Sequence, residues 1–197
     1  MDKLDIIGYA LIILILIVIF KMYFESESFN LRCIISDVDG KKYCVRESKN
    51  KKKTANLLAK ITNKLSKLVD ITYKKHPEEE KAQRLKKKYR ANVVSETLPT
   101  SKFTAYSENK GEKLAFCTTK KKNGTEIIDE NTLTFVGIHE LSHIMSKSIG
   151  HNDEFWGNFK FLLKIAVDEK IYNPVDYGKK SIEYCSMKIT DNPYFDY

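Results

Sequence analysis

The sequence predicts an α+β protein: a single N-terminal membrane-spanning helix followed by one small mixed domain. Three observations carry that expectation. Residues 6–20 form an uncharged apolar run; two later segments alternate around short turns as hairpins; and about four stretches repeat apolar residues at three and four positions, as helices do. Of 197 residues, about 170 remain after the first segment, enough to bury one core. Hydrophobic content of 42% with 11% aromatic residues fits a globular chain and excludes fibrous or broadly disordered classes.

The first element is bounded by Ile6 and Phe24, with Lys21 as its one interior charge. At about 1.5 Å per residue it spans nearly the 30 Å of a bilayer core. Lys21 can snorkel to the interface, and Tyr9 and Tyr23 suit the aromatic belts. The run exceeds a signal-peptide core, and no small-x-small cleavage pattern follows it, so an uncleaved anchor is predicted. Lys3 on one side and Lys21 with Arg32 on the other leave the flanking charge balanced.

The stretch LRCIISDVDGKKYCVRE predicts a hairpin whose loop, Asp37 to Gly40, sets Cys33 opposite Cys44. That register makes a disulfide conceivable. Four cysteines allow two disulfides in three pairings, and four buried thiols are the competing reading. From Thr54, the residues Leu57, Leu58, Ile61, Leu65, Leu68 and Val69 mark an amphipathic helix. Pro77 opens the next helix, with Glu78, Glu79 and Glu80 in its first turn, extending to about Arg90.

Charge is uneven along the chain. Residues 49–90 carry 15 Lys and Arg against 4 Asp and Glu, whereas the remainder has 19 against 22. Such a segment could meet nucleic acid or anionic lipid, but few aromatics interleave to stack bases, so a solvated lysine face is favoured. A second hairpin is expected over 103–119 around Asn109 to Gly111, with Leu114 and Phe116 on one face. Asn123-Gly-Thr125 is a glycosylation sequon and equally a turn signal.

Asp129 or Asn131 can cap the following helix, in which Leu133, Val136, Leu141 and Ile144 keep helical spacing until Gly150 stops it. The stretch DEFWGNFKFLLKIAVDEK makes the last helix, with Phe155, Phe159, Leu162, Leu163 and Val167 inward. The tail beyond Tyr172 is aromatic and turn-rich and should wrap the domain.

The chemistry concentrates in HELSHIMSKSIGHNDEFW, residues 139–156, which holds three of the four histidines and the sole tryptophan. His139, Glu140 and His143 satisfy H-E-x-x-H on an expected helix. Histidines four apart share a face and can reach one Zn²⁺. Glu140, about 100° around the helix, can reach a water without ligating the metal, as general base. A catalytic zinc takes three protein ligands; His151, after the turn at Gly150, is the first candidate for the third, with Glu154 and Asp153 as alternatives. Three histidines together on a buried face are hard to satisfy without a metal.

HELSH followed by G-H-x-x-x-F-W resembles the zincin metallopeptidases of the WLM and SprT-like kind. The resemblance implies a small zincin-like domain over 28–197 with an HExxH active-site helix, behind an anchor and flank over 1–27. It implies one Zn²⁺ on His139, His143 and His151, Glu140 as the catalytic acid and base, and Phe155 with Trp156 packed behind the metal helix. The sequence departs from the pattern in having seven residues between His143 and His151, where about five are expected.

A wider set of stretches, VDGKKYCVRE, YSENKGEKLAFC, GHNDEFWGNFKFLLK and EYCSMKITDNP, is similar to membrane-anchored metallopeptidase candidates of large DNA viruses. That resemblance implies a single-pass protein of the virion or a host internal membrane and brings no substrate. A protein or peptide substrate is expected. The alternative is a non-catalytic viral membrane protein with a structural zinc. SprT-like and WLM proteases act on DNA-bound proteins, so residues 49–90 would then hold nucleic acid, which a membrane tether makes the weaker reading. Zincin sheets offer an edge to an extended substrate, and the 103–119 hairpin is the candidate. Tyr184 is a candidate to stabilise a developing oxyanion, against a packing role.

Overall fold

The computed structural model describes residues 3–25 and 31–196. The expected boundary between anchor and domain, at 27/28, lies outside the described residues. Helix α1 (Lys3–Glu25) contains a 19-residue apolar stretch, Asp5–Tyr23, long enough to cross a membrane. None of the Asp5–Tyr23 stretch is buried, and it presents no polar face.

The domain is built on a five-stranded sheet in the order β1-β2-β3-β5-β4. Strands β1 (Leu31–Ile35) and β2 (Lys42–Arg46) form the first hairpin, in the register that sets Cys33 opposite Cys44. A disulfide joins that pair; another joins Cys117 to Cys185, so every cysteine is bonded. The chain then crosses through α2 (Lys51–Lys75) and α3 (Glu80–Lys88) to β3 (Val94–Glu96), which lies parallel to both β2 and β5. Strands β4 (Ala105–Glu108) and β5 (Lys113–Phe116) form the second hairpin and leave β4 at the sheet edge.

Helix α4 (Glu130–Met145) runs through the middle of the domain, and α5 (Asp153–Asp168) packs along it. A small hairpin of β6 (Ile182–Tyr184) and β7 (Met187–Ile189) is stapled beside β5 by the Cys117–Cys185 disulfide. A 3-10 turn, Pro193–Phe195, closes the tail against α5.

Three expectations are corrected. Helix α3 starts at Glu80 rather than Pro77, because Glu79 has an extended backbone and its carbonyl accepts the first helical hydrogen bond, from Gln83 N–H at 3.0 Å. Helix α4 ends at Met145, not at Gly150, for reasons given below. Strand β3 and the β6–β7 hairpin were not anticipated. Leu114 and Phe116 share the core-facing side of β5 as expected, and Ala115 between them is buried as well, since β5 is covered on both faces.

Part of the lysine-rich segment is paired within the domain. Lys60 and Lys64 reach Glu130 at 3.3 and 2.8 Å, Lys75 reaches Glu169 at 2.7 Å, and Lys86 reaches Asp70 at 2.6 Å. One buried pair matters more for the sheet: Arg46 and Glu96 lie 3.7 Å apart, and Arg46 also donates to the carbonyls of Thr97, Leu98 and Lys122. It thereby ties β2 to the chain beyond β3 and to the 117–128 loop.

Candidate metal centre

Helix α4 owes its position to capping and burial. The Asp129 carboxylate accepts from Thr132 N–H at 2.9 Å and from the Thr132 hydroxyl at 2.7 Å, fixing the first turn. Twelve of its sixteen residues are buried, so it is a core helix and not an amphipathic surface one. His139 and His143 lie where this burial is broken by a cleft, and Glu140, 4% exposed, lines the same cleft.

His151 reaches them from the loop between α4 and α5. At Ser146 the backbone turns extended (φ −80, ψ 145), which ends the helix. The freed carbonyls are then taken by cations. Arg84 donates to Met145 O, while Lys110 Nζ donates to Ser146 O, Lys147 O and Ser148 O at 2.5, 2.9 and 2.7 Å. Gly150 holds φ +87, a left-handed conformation that turns the chain back toward α4. Glycine therefore reverses the loop and does not stop the helix.

Glu154 ties the same loop from the other side. Its oxygens accept from Lys147 N–H at 2.7 Å, Ser148 N–H at 2.9 Å and the Ser148 hydroxyl at 2.6 Å. Those bonds hold its carboxyl at about 2, well below the ordinary range. Glu154 and Asp153, the alternative third ligands, are accordingly absent from the cluster, and Glu154 has its oxygens engaged by the loop.

The three imidazoles converge. Nε2 of His151 is 3.1 Å from Nε2 of His143 and 3.1 Å from Nε2 of His139. Ring centroids are 4.9 to 5.0 Å apart on all three sides of the triangle. Nitrogens about 2.0 to 2.1 Å from a tetrahedral ion lie about 3.3 Å from one another, so the donor set matches zinc in chemistry and spacing. Burial, aided by the neighbouring imidazoles, pushes His139 down to about 3 and His143 to about 4. Both are therefore neutral near pH 7, the form that ligates. Burial pushes Glu140 up to about 8.

Phe155 lies beneath all three rings, with centroids 4.4 to 4.8 Å away, and forms an apolar floor. Trp156 does not pack behind the helix as expected. It is 40% exposed, with its ring 5.9 Å from His151 at the cleft rim, because its place on α5 is about 100° from the buried stripe of Phe155, Phe159 and Leu162.

Tyr184 is buried beside Glu140, and its hydroxyl donates to Thr104 O at 3.2 Å. Burial, with the Glu140 charge added, raises it well above its ordinary value. In this arrangement it ties the β6–β7 hairpin to the start of β4, the packing role weighed for it. Strand β4 belongs to the 103–119 hairpin expected as the substrate edge and lines the cleft, whereas Lys110 and the wall contributed by Met187 and Ile189 were missed. A lysine in an Asn-Lys-Gly turn gives no sequence signal of a distant partner.

The chain is similar to an uncharacterized protein of Acanthamoeba polyphaga mimivirus, 32% identical over 200 residues that cover 98% of each chain. Shorter matches of 83 residues link it to uncharacterized proteins of two invertebrate iridescent viruses. The type 3 protein is 35% identical over 42% of this chain and 50% of its own. The type 6 protein is 30% identical over 42% of this chain and 46% of its own. Their names assign no activity. No family model matches the chain, and no solved structure does.

Proposed function

The chain belongs to one family with the mimivirus protein, and we propose that it is a membrane-anchored zinc-dependent peptidase. Its anchor would be α1, a single pass in the membrane of the virion or of the infected cell, and its substrate a protein or peptide. The observation that carries the reading is the open triangle of imidazoles with Glu140 beside it in the cleft wall. Three protein ligands facing a cleft suit a catalytic zinc, whereas a structural one is closed by four.

His139, His143 and His151 would hold the ion through Nε2. The ion, when bound, supplies Lewis acidity, which acidifies water and polarises a peptide carbonyl. Glu140, which the charge of the bound ion would return from the acid form favoured by burial to the carboxylate, would take the proton from the attacking water on a carboxylate oxygen as the new C–O bond forms. It then delivers that proton to the amide nitrogen as the C–N bond breaks, so the products are a carboxylic acid and an amine. Phe155 keeps water from behind the imidazoles and fixes their planes. Strand β4, at the sheet edge along the cleft, offers its backbone to an extended substrate.

The test is metal content and cleavage of an unfolded protein by the full chain. Wild type should bind one zinc and cleave; Glu140→Gln should keep the zinc and lose cleavage; His151→Ala should lose the zinc. Full cleavage by Glu140→Gln would sink the mechanism. One tightly held zinc with no cleavage by wild type would replace the peptidase with a structural metal protein.

A further inference from the structure

We propose that the cleft takes an extended polypeptide segment of about six residues that carries a large apolar side chain toward each end. This deepens the peptidase reading by assigning a substrate class to the same site, and it rests on the arrangement of the cleft along β4.

The cleft encloses about 1080 Å³. That is at or above the roughly 300 to 1,000 Å³ of sites for small ligands, and it suits a length of chain. One wall is β4. Cys117 N–H donates to Thr104 O at 2.7 Å, and antiparallel pairing alternates from there. Thr104, Tyr106 and Glu108 therefore turn their backbone groups to β5, leaving those of Ala105 and Ser107 on the open edge. An uncovered strand edge is a template for another strand, and β4 is short enough to accept only a short one. Ser107 adds a polar atom: its Oγ is buried and has no hydrogen-bond partner among the described residues.

The apolar groups mark the ends. At the start of β4 stand Phe103, 64% exposed, and Met187, 47% exposed, whose sulfur lies 3.4 Å from the Thr104 hydroxyl. Beyond the other end, Lys110 binds Ser148 O, next to Ile149, which is 90% exposed and lines the cleft, as Trp156 does. Exposed apolar residues gathered around one concavity mark a recognition surface, whereas scattered ones do not. A paired segment runs four residues along Ala105–Glu108, about 13 Å at about 3.3 Å per residue, before Asn109 and Lys110 turn away at φ 45 and 56; one residue more at each end meets the apolar groups, hence the six-residue footprint. Charge does not select strongly: the lining holds Lys102 and Lys110 against Glu108, Asp191 and, beside the imidazoles, Glu140.

Trp156 is the sole tryptophan and stands at the rim, so its fluorescence reports occupancy. The experiment titrates full-chain Glu140→Gln, zinc-loaded and in lipid nanodiscs, with tryptophan-free eight-residue peptides. A peptide with phenylalanine at both ends of its central six residues should shift the Trp156 emission. Replacing either phenylalanine by serine should weaken binding about tenfold to a hundredfold, the scale of one buried apolar side chain. Ile149→Ser should abolish the preference at one end, and Met187→Ser the preference at the other.

Equal affinity for all peptides, or a Trp156 emission moved by none, would overturn the proposal. So would an apolar preference that neither variant alters. Binding is read without turnover, so the two readings separate. Selective binding with no cleavage by wild type would sink the peptidase alone, and cleavage without the preference would sink only the substrate class.

Discussion

Lys110→Met should weaken zinc binding without touching a ligand. The ammonium of Lys110 donates to three successive carbonyls, Ser146, Lys147 and Ser148, within 2.5 to 2.9 Å. These belong to the loop that delivers His151. Hydrogen bonds to a charged donor are worth about 1.5 to 3 kcal/mol when buried, but this site is partly exposed, so about 0.5 to 1 kcal/mol each is the appropriate scale. Their sum, about 2 kcal/mol, would be lost from the order of the loop. If the loop must be ordered for His151 to ligate, zinc affinity falls by a factor of about 30, since 1.4 kcal/mol is tenfold. The assay is competition against a chelator at pH 7 for wild type, Lys110→Met, His151→Ala and the double variant. Lys110 acting through His151 predicts that Lys110→Met costs nothing further once His151 is gone. An unchanged zinc affinity in Lys110→Met, or a full penalty in the double variant, would refute the reasoning.

Three further outcomes follow from the structure. Glu154 has its carboxyl held at about 2 against an ordinary 4.5, so the stability it lends is fully present above pH 4.5 and lost as pH falls through 2; amide exchange at Lys147 and Ser148 should lose protection over that window, and Glu154→Ala should lack it at every pH. Arg46→Met leaves Glu96 buried without its partner, which should cost about 3 to 5 kcal/mol at pH 7 by denaturant titration. Burial already raises the Glu96 pKa, so that deficit should shrink as pH falls and the acid takes up a proton. Replacing Cys117 and Cys185 by alanine, which opens a loop spanning 68 positions, should cost about 4 kcal/mol, against about 3 for Cys33 and Cys44 at a separation of 11; equal losses would speak against the loop-entropy account.

Legibility in the sequence followed the range of the interactions. Helix α1 was readable from one charge-free run, and the first hairpin from its turn, whose geometry set Cys33 against Cys44. Helix α2 was readable because one face carries the core. Strand β3 was not, since three residues give no pattern and its place between β2 and β5 is set by parallel, non-local pairing. The β6–β7 hairpin was hidden for another reason. Its turn uses Cys185 and Ser186 at φ 51 and 64, a left-handed pair normally signalled by Asn-Gly, here held by the disulfide to Cys117.

The site divides along the same line. His139 and His143 needed only the pitch of a helix, so their pairing could be read directly. The third imidazole depends on where α4 ends, and that is decided by distant groups: Arg84 on Met145 O, Lys110 on the next three carbonyls, and Glu154 on the amides of Lys147 and Ser148. A local reading puts the stop at Gly150, the only glycine near. The actual stop accounts for the seven residues between His143 and His151: Ile144 and Met145 complete the helix, and the remaining five form the loop. What delivers His151 is a set of cross-chain bonds from α3, the β4–β5 turn and α5, and the third ligand stands or falls with those bonds rather than with the count of residues between the histidines.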